Sequence, residues 1–209
     1  MRRETMIEFE YLDKRVRRTK LDFYNAFIEL LKQKKYEQIT VKDIIEFAGY
    51  SRGSFYNHYK EKEDLLNEII DSLFQEASIA QRTPYIKEDS IDVLRLENEA
   101  IFILIHFKEY RNYYQTLLGE NIRIDFRGQL SNQVVAIFLE DFDMEDRTEG
   151  NNIDKDLLNK YYGYGLIGVI LDWVIADFPT ETEDFSKELG KIFKHSHGTT
   201  QIKNKRRLN

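Results

Sequence analysis

The residues best equipped for chemistry lie in one short stretch, SRGSFYNHYKEK, at positions 51–62. Five of its side chains carry hydrogen-bond donors or aromatic rings: Arg52, Ser54, Tyr56, Asn57 and His58. Such groups suit phosphate oxygens and the edges of base pairs. Gly53 has no side chain, so a partner could approach the backbone closely there. The stretch therefore indicates nucleic-acid binding.

Signals for catalysis and metal binding are weak. The chain contains no cysteine, which excludes disulfides, zinc-thiolate sites and thiol catalysis. No glycine-rich phosphate loop, nucleophile elbow or His-Glu-x-x-His pattern is present. Asp141, Asp143 and Glu145 have the alternate spacing of a calcium loop but lack its glycine, and His195 and His197 stand in a polar tail. We expect no metal, no cofactor and no enzymatic activity.

Helices must position the donor-rich stretch, because apolar residues recur at helical spacing along most of the chain. One stripe consists of Phe23, Ala26, Phe27, Leu30 and Leu31. A shorter stripe consists of Val41, Ile44, Ile45 and Ala48. These are the offsets of one helix face, and no alternating strand pattern appears. The predicted fold class is all-α.

The elements around the donor-rich stretch predict a helix-turn-helix. Thr40, with Asp43 three residues later, can cap the start of one helix, and Gly49 can end it. A second short helix should run from about Ser51 to Tyr59, with Phe55 and Tyr59 facing the core. A helix-turn-helix places its second helix in the DNA major groove.

Charge is unevenly distributed along the chain. Residues 1–62 hold 14 Lys and Arg against 10 Asp and Glu, whereas the net charge of the whole chain is −6. A basic N-terminal part on an acidic body suggests a polyanion partner at one end. We predict a DNA-binding domain over residues 1–62, a helical effector-binding and dimerisation domain over 63–194, and a disordered basic tail over 195–209.

The second half has two features relevant to function. The segment 155–177 is apolar nearly all round and contains Gly163, Gly165 and Gly168, which favours a homodimer interface, although a central helix of a monomeric bundle is the alternative. A final helix should start at Thr180, with Glu183 completing a capping box, and bury Phe185, Leu189, Ile192 and Phe193. Aromatic residues could line an effector cavity or simply form the core; the ligand candidates are Phe102, His106, Tyr113, Tyr114, Tyr161 and Trp173.

The block SRGSFYNHYKEKEDLL, preceded by ITVKDII and the AG turn, resembles the TetR family of bacterial regulators over about residues 15–75. The resemblance implies DNA-facing positions at Val41, Lys42, Arg52, Gly53, Ser54, Tyr56, Asn57, His58 and Lys62. Tyr56, His58 and Lys62 are expected at phosphates. A basic run that includes Arg17 and Arg18 is expected before the first helix, within reach of DNA. The chain departs from the family in having Lys35 where glycine usually precedes the aromatic residue.

These observations predict a sequence-specific regulator that reads double-stranded DNA at a palindromic operator as a homodimer. We expect a repressor released by a small molecule. A coactivator of the same fold that binds a protein, and an enzyme with its site in the aromatic half, are the alternatives. The start is too polar for a secretory signal, and the longest apolar run, Tyr161 to Ile175, is too short for a bilayer. No membrane association and a cytoplasmic location are expected.

Overall fold

The structure, a computed structural model, describes residues 13–85, 90–92, 101–144, 154–196 and 199–202. The N-terminal helices are α1 (Lys14–Gln33), α2 (Val41–Ala48), α3 (Arg52–Tyr56) and α4 (Lys62–Arg82). The later helices are α5 (Ile101–Glu109), α6 (Arg111–Leu117), α7 (Phe126–Asp141), α8 (Lys155–Ile175) and α9 (Thr182–Ser196). Single 3₁₀ turns occur at Tyr36–Gln38 and Thr83–Tyr85. The all-α prediction is confirmed.

Three short strands accompany the helices. The strands β1 (Ser90–Asp92), β2 (Phe142–Met144) and β3 (Thr199–Ile202) form an antiparallel sheet in the order β1-β3-β2. Ser90 pairs with Gln201, and Phe142 pairs with Ile202. The structure therefore differs from the predicted disordered tail at Thr199–Ile202, where β3 gains ladder hydrogen bonds on both sides. Residues 203–209 of that tail lie outside the described residues.

The chain divides into two compact units at positions that differ from the predicted boundary. The first unit comprises residues 1–76 and 112–125, and the second comprises 77–111 and 126–209. The predicted boundary at residue 62 coincides with the start of α4. The first unit extends past it because Leu65 and Ile69 of α4 are fully buried in the apolar core.

Aromatic rings form the centre of the first unit. The ring of Phe23 in α1 lies 5.4 Å from the ring of Phe55 and 6.3 Å from that of Tyr59. Phe55 also lies 5.4 Å from Tyr59, and all three side chains are buried. Edge-to-face and tilted pairs at these distances are favourable beyond their apolar burial. The predicted inward orientation of Phe55 and Tyr59 is confirmed.

The second unit is built on the close packing of α7 against α8. A Cβ atom added at Gly163 would lie 2.8 Å from Cγ2 of Val135, so these helices meet at a distance that only glycine permits. Trp173 stacks on Phe185 with ring centroids 4.6 Å apart. Its indole N–H donates to the carbonyl of Thr180 at 3.0 Å. This contact fixes the turn that leads into the last helix.

The last helix departs from its predicted start and burial. It begins at Thr182, two residues after the predicted Thr180, whose carbonyl is held in the turn by Trp173. Leu189 is buried as expected, but Ile192 is 58% exposed instead of buried. The buried residues Thr182, Ser186, Leu189 and Gly190 mark the inner side of the helix, and Ile192 lies at the edge of that side. Phe185 is half-buried, and the side chain of Phe193 lies outside the described residues.

Candidate nucleic-acid interface

The start and end of α2 are fixed by local hydrogen bonds. The amide of Asp43 donates to the Thr40 hydroxyl at 3.2 Å, and the Asp43 carboxylate accepts from the Thr40 amide at 2.7 Å. Lys34 and Thr40 lower the pKa of Asp43 to about 2, so this reciprocal cap persists into acid. Gly49 ends the helix in the left-handed region, with φ of 73°. Both predicted boundaries of α2 are confirmed.

The turn before Tyr36 forms with Lys35 at the position where the resembled family usually has glycine. Lys35 adopts extended backbone with φ of −63° and ψ of 146°, followed by the 3₁₀ turn. A left-handed residue is therefore not required there, and Lys35 is compatible with the turn.

The recognition helix α3 is short, and one of its side chains holds it to the apolar core. Ser51 caps it by accepting from the Ser54 amide at 3.2 Å. Phe55 holds it to the core with a fully buried ring. The helix spans Arg52–Tyr56, shorter than the predicted 51–59; Asn57 is its C-cap, and a further turn follows in which the Tyr59 amide donates to the Phe55 carbonyl at 3.0 Å. Its position is therefore set by one cap and one aromatic anchor.

The outward side of α3 carries most of the predicted DNA-facing residues. The exposed ones are Arg52, Gly53, Tyr56 and Asn57, joined by Lys42 of α2. Val41 and Ser54 are half-buried. The Ser54 hydroxyl lies 2.9 Å from the Ser51 hydroxyl, so it is engaged within the cap. This surface offers a guanidinium, an ammonium, a carboxamide and a phenol to solvent.

Lys62 has contacts that the sequence did not predict. Its ammonium donates to the carbonyl of Tyr36 at 2.8 Å and to that of Ile39 at 2.9 Å. It also lies 4.2 Å from the centre of the Tyr36 ring. Two of its three N–H groups are thus used inside the protein, and they hold the start of α4 to the loop before α2. One donor remains for a phosphate.

The basic run at residues 14–20 lies within α1, not before it as predicted. Asp13 caps this helix by accepting from the Arg15 amide at 2.8 Å. Arg18 is 84% exposed and lies 4.0 Å from Asp22, whereas Arg17 is half-buried. The helical spacing places these cations around the helix, so they do not form an extended arm.

A polar cluster joins α4 to α1 and to Tyr59, which follows the recognition helix α3. The carboxylate of Glu68 accepts from Lys20 at 2.7 Å, from the hydroxyl of Tyr24 at 2.7 Å and from that of Tyr59 at 3.4 Å. Burial lowers the pKa of the adjacent His58, and Lys20 lowers it further. His58 is therefore neutral at neutral pH and offers a single ring N–H donor. We call Glu68, Lys20, Tyr24 and Tyr59 the Glu68 cluster.

Sequence reasoning missed the segment 112–125, which belongs to the first unit. The carbonyl of Asn121 accepts from the Tyr36 amide at 2.7 Å, and its carboxamide donates to the carbonyl of Leu31 at 2.9 Å. The hydroxyl of Tyr113 donates to Asn25 at 2.8 Å. These pairs are about 90 positions apart in sequence, so no local pattern indicates them.

The six predicted ligand residues have different environments. Tyr113 and Tyr114 belong to the first unit, and the other four belong to the second. Tyr161 is 71% exposed and Phe102 44%, whereas Trp173 and His106 are buried. An open cavity of about 310 Å³ lies in the first unit, and none of the six lines it. Burial lowers the pKa of His106 to about 3, so its ring is neutral.

The described part of the chain supports neither of two other kinds of function, metal binding and membrane spanning. It contains no group of three or more metal-ligating side chains, and Glu145 and His197 lie outside it. Across the same residues, no helix has the length and apolar character needed to cross a bilayer.

Comparison with known proteins agrees with this geometry. Residues 24–69 match the family model described as bacterial regulatory proteins of the tetR family. Residues 95–195 match the one described as the C-terminal region of a transcriptional regulator. The helix-turn-helix and most of the second half are therefore both covered.

Individual relatives extend over most of the chain. The dhaKLM operon transcriptional activator DhaS of Lactococcus lactis is 25% identical over 154 residues, 72% of this chain and 76% of that protein. A TetR transcriptional regulator from Streptococcus agalactiae has a solved structure that is 26% identical, with a TM-score of 0.58, over 87% of this chain and 96% of that one. The solved structure of DhaS matches this chain with a TM-score of 0.57 and 19% identity, over 86% of this chain and 96% of that one. This chain belongs to the TetR family of transcriptional regulators and is a DNA-binding regulator.

Proposed function

We propose that the protein is a homodimeric, sequence-specific repressor that binds a palindromic operator and is released by a small molecule. The observation that carries the proposal is the outward side of α3, where Arg52, Tyr56 and Asn57 are exposed on a helix anchored by Phe55. Residues near the start of a recognition helix read base edges, and those near its end approach phosphates. Arg52, at the start of α3, then reads bases, while Tyr56 at its end and His58 beyond it contact the backbone.

A homodimer through α8 and α9 is supported by the apolar side of α8 that the subunit leaves open. Leu157, Tyr161 and Val169 are exposed there, and a Cβ atom at Gly165 or Gly168 would meet open space. A second copy on this side would bury those groups in an isologous interface. Its two recognition helices must then lie about 34–36 Å apart, one DNA turn, or a multiple of it.

A small-molecule effector is supported by an unsatisfied group in the second unit. The side-chain oxygen of Asn159 in α8 is buried and accepts no hydrogen bond from the described residues. A buried acceptor without a donor is destabilising by about 1–3 kcal/mol. An effector with an N–H or O–H group would satisfy it. Such a ligand shifts the equilibrium only by its differential affinity for the two conformations.

The test of DNA binding is fluorescence anisotropy on duplexes that tile the DNA flanking the protein's own gene. We expect one duplex to bind at least tenfold more tightly than its scrambled version. Arg52→Ala should reduce this ratio, whereas Arg123→Ala, an exposed arginine outside the recognition surface, should leave it unchanged. Equal affinity for all duplexes would contradict sequence-specific regulation.

Activation is the second candidate, because the relative DhaS is named as an operon transcriptional activator. Deleting the gene and measuring transcription of the neighbouring genes distinguishes repression from activation. Repression predicts a rise in transcript, and activation predicts a fall.

A further inference from the structure

The side chain that best suits base recognition is held by an aromatic neighbour. The guanidinium carbon of Arg52 lies 5.4 Å from the centre of the Tyr56 ring. The two residues are one turn apart on α3, so their side chains share a helix face. Arginine over an aromatic face is attracted by the ring quadrupole. Such a contact does not require the guanidinium N–H groups to donate a hydrogen bond.

The ring that holds Arg52 is itself fixed to the core. Tyr56 meets Phe55 edge to face, with centroids 5.6 Å apart and an interplanar angle of 86°. Phe55 is fully buried. A continuous series of ring contacts therefore runs from the core to the guanidinium, although Tyr56 is 46% exposed.

Arg52 differs from Lys42 and Arg18, two other exposed cations of the first unit. Lys42 lies 3.6 Å from Glu46, and Arg18 lies 4.0 Å from Asp22. Within the described part of the chain, no carboxylate forms an ion pair with Arg52. Next to it, a Cβ atom at Gly53 would meet only the Ser51 hydroxyl, at 3.8 Å. The guanidinium thus keeps its donors next to open space, with the Tyr56 ring beside it.

We propose that the Tyr56 ring is a positioning element that orients Arg52 to donate two hydrogen bonds to O6 and N7 of a guanine in each half-site. The inference rests on the proposed DNA-reading function and adds a second role to Tyr56. Its hydroxyl contacts phosphate, and its ring contributes to base preference through Arg52. Guanine is the base whose major-groove edge presents two adjacent acceptors to the guanidinium fork.

The experiment selects binding sites from a randomised duplex library with the full-length wild type and the variants R52A, Y56F and Y56L. Wild type should select half-sites with a guanine, and R52A should lose that guanine preference by about tenfold or more. Y56F keeps the ring and should retain the preference while binding all duplexes more weakly. Y56L should lose the preference by about two- to fivefold, the value of an exposed cation–π contact.

Three controls make the outcome decisive. Y56Q, a second non-aromatic variant, should behave as Y56L, and thermal melts should show that both remain folded at the selection temperature. In the double variant R52A/Y56L, the loss of guanine preference should not exceed that of R52A alone. Full guanine preference in folded Y56L or Y56Q, or an unchanged preference in R52A, would overturn the positioning role. Failure of wild type to select any sequence would instead overturn the proposed function.

Discussion

The two compact units are stabilised by different kinds of contact. In the first, polar groups join the helices: Glu68 accepts from two elements, Lys62 caps a loop, and Asn121 pairs with backbone of α1 and the following turn. In the second, α7 and α8 meet through Gly163, and the buried side-chain oxygen of Asn159 accepts no hydrogen bond from the described residues.

This difference in contacts predicts how the stability of each unit responds to substitutions and to pH. Polar contacts have defined directions, so the first unit holds its recognition helix in one geometry. Apolar packing is less directional, and a buried polar group without a partner favours any state that satisfies it. The first unit should therefore be sensitive to charge removal, and the second to volume and to protonation.

Glu68→Ala should have the largest effect, because it removes the carboxylate that accepts from Lys20 and from the Tyr24 hydroxyl in the Glu68 cluster. The ion pair is about one-fifth exposed, so we expect a loss of about 2–3 kcal/mol in unfolding free energy, measured by urea denaturation. Glu188→Ala, which removes a surface pair with Lys191, should cost under about 1 kcal/mol. Equal losses would contradict a structural role for the cluster.

Acid should destabilise the second unit through His106. Its pKa of about 3 lies below the ordinary 6.5, so the unfolded chain binds the proton more tightly than the folded one. Stability is then complete above pH 6.5 and decreases as the pH falls, by about 1.4 kcal/mol per unit, or about 2 kcal/mol at pH 5. His106→Gln should flatten this dependence between pH 7 and 5. A slope unchanged by the substitution would exclude His106 as its source.

Two glycines lie on different sides of α8, so substitutions there test its contact with α7 and its open side separately. Gly163→Ala places a Cβ atom 2.8 Å from Val135, and we expect a loss of about 1–2 kcal/mol in unfolding free energy. Gly168→Ala meets open space within the subunit and should be neutral or stabilising by up to about 1 kcal/mol. Light scattering on Gly168→Leu then tests whether a second copy occupies that side. A dimer that persists unchanged would place the interface elsewhere.

Substitutions of Lys42 and Lys62 should have the smallest effects, and they distinguish a phosphate contact from a structural contact. Lys42 is 81% exposed, so Lys42→Ala should reduce the dependence of log affinity on log salt by about one unit, if it binds a phosphate. Lys62→Ala should lower stability by about 1 kcal/mol because two carbonyls lose their donor, and it should change the salt slope less. Titrations at several salt concentrations decide this. Equal slope changes would show that Lys62 acts mainly at phosphate.

The boundaries of α2 could be predicted from sequence because they depend on near neighbours. The reciprocal cap of Thr40 and Asp43 spans three residues, and Gly49 ends α2 by its own conformation. Lys62 was not predictable in this way, since its acceptors are 23 and 26 residues distant. Residue type indicated that Lys62 is cationic, but only the fold shows what the charge contacts.

The ligand candidates in the second half could not be predicted as a set. Aromatic residues there occur at helical spacing, which does not distinguish a core ring from a cavity lining. Trp173 is stacked and hydrogen-bonded, whereas Tyr161, on the same helix, is exposed. The unsatisfied oxygen of Asn159 is a property of its surroundings and has no sequence signal.

The division of the first unit between residues 1–76 and 112–125 limits how this regulator can exchange parts with its relatives. A recombined gene that joined residues 1–76 to the second half of another regulator would lose Asn121. The amide of Tyr36 and the carbonyl of Leu31 would then lack their present partners, close to the start of α2. Transfer of the complete first unit therefore involves two separate gene segments. A single crossover after α4 would transfer the recognition helix without all of its support.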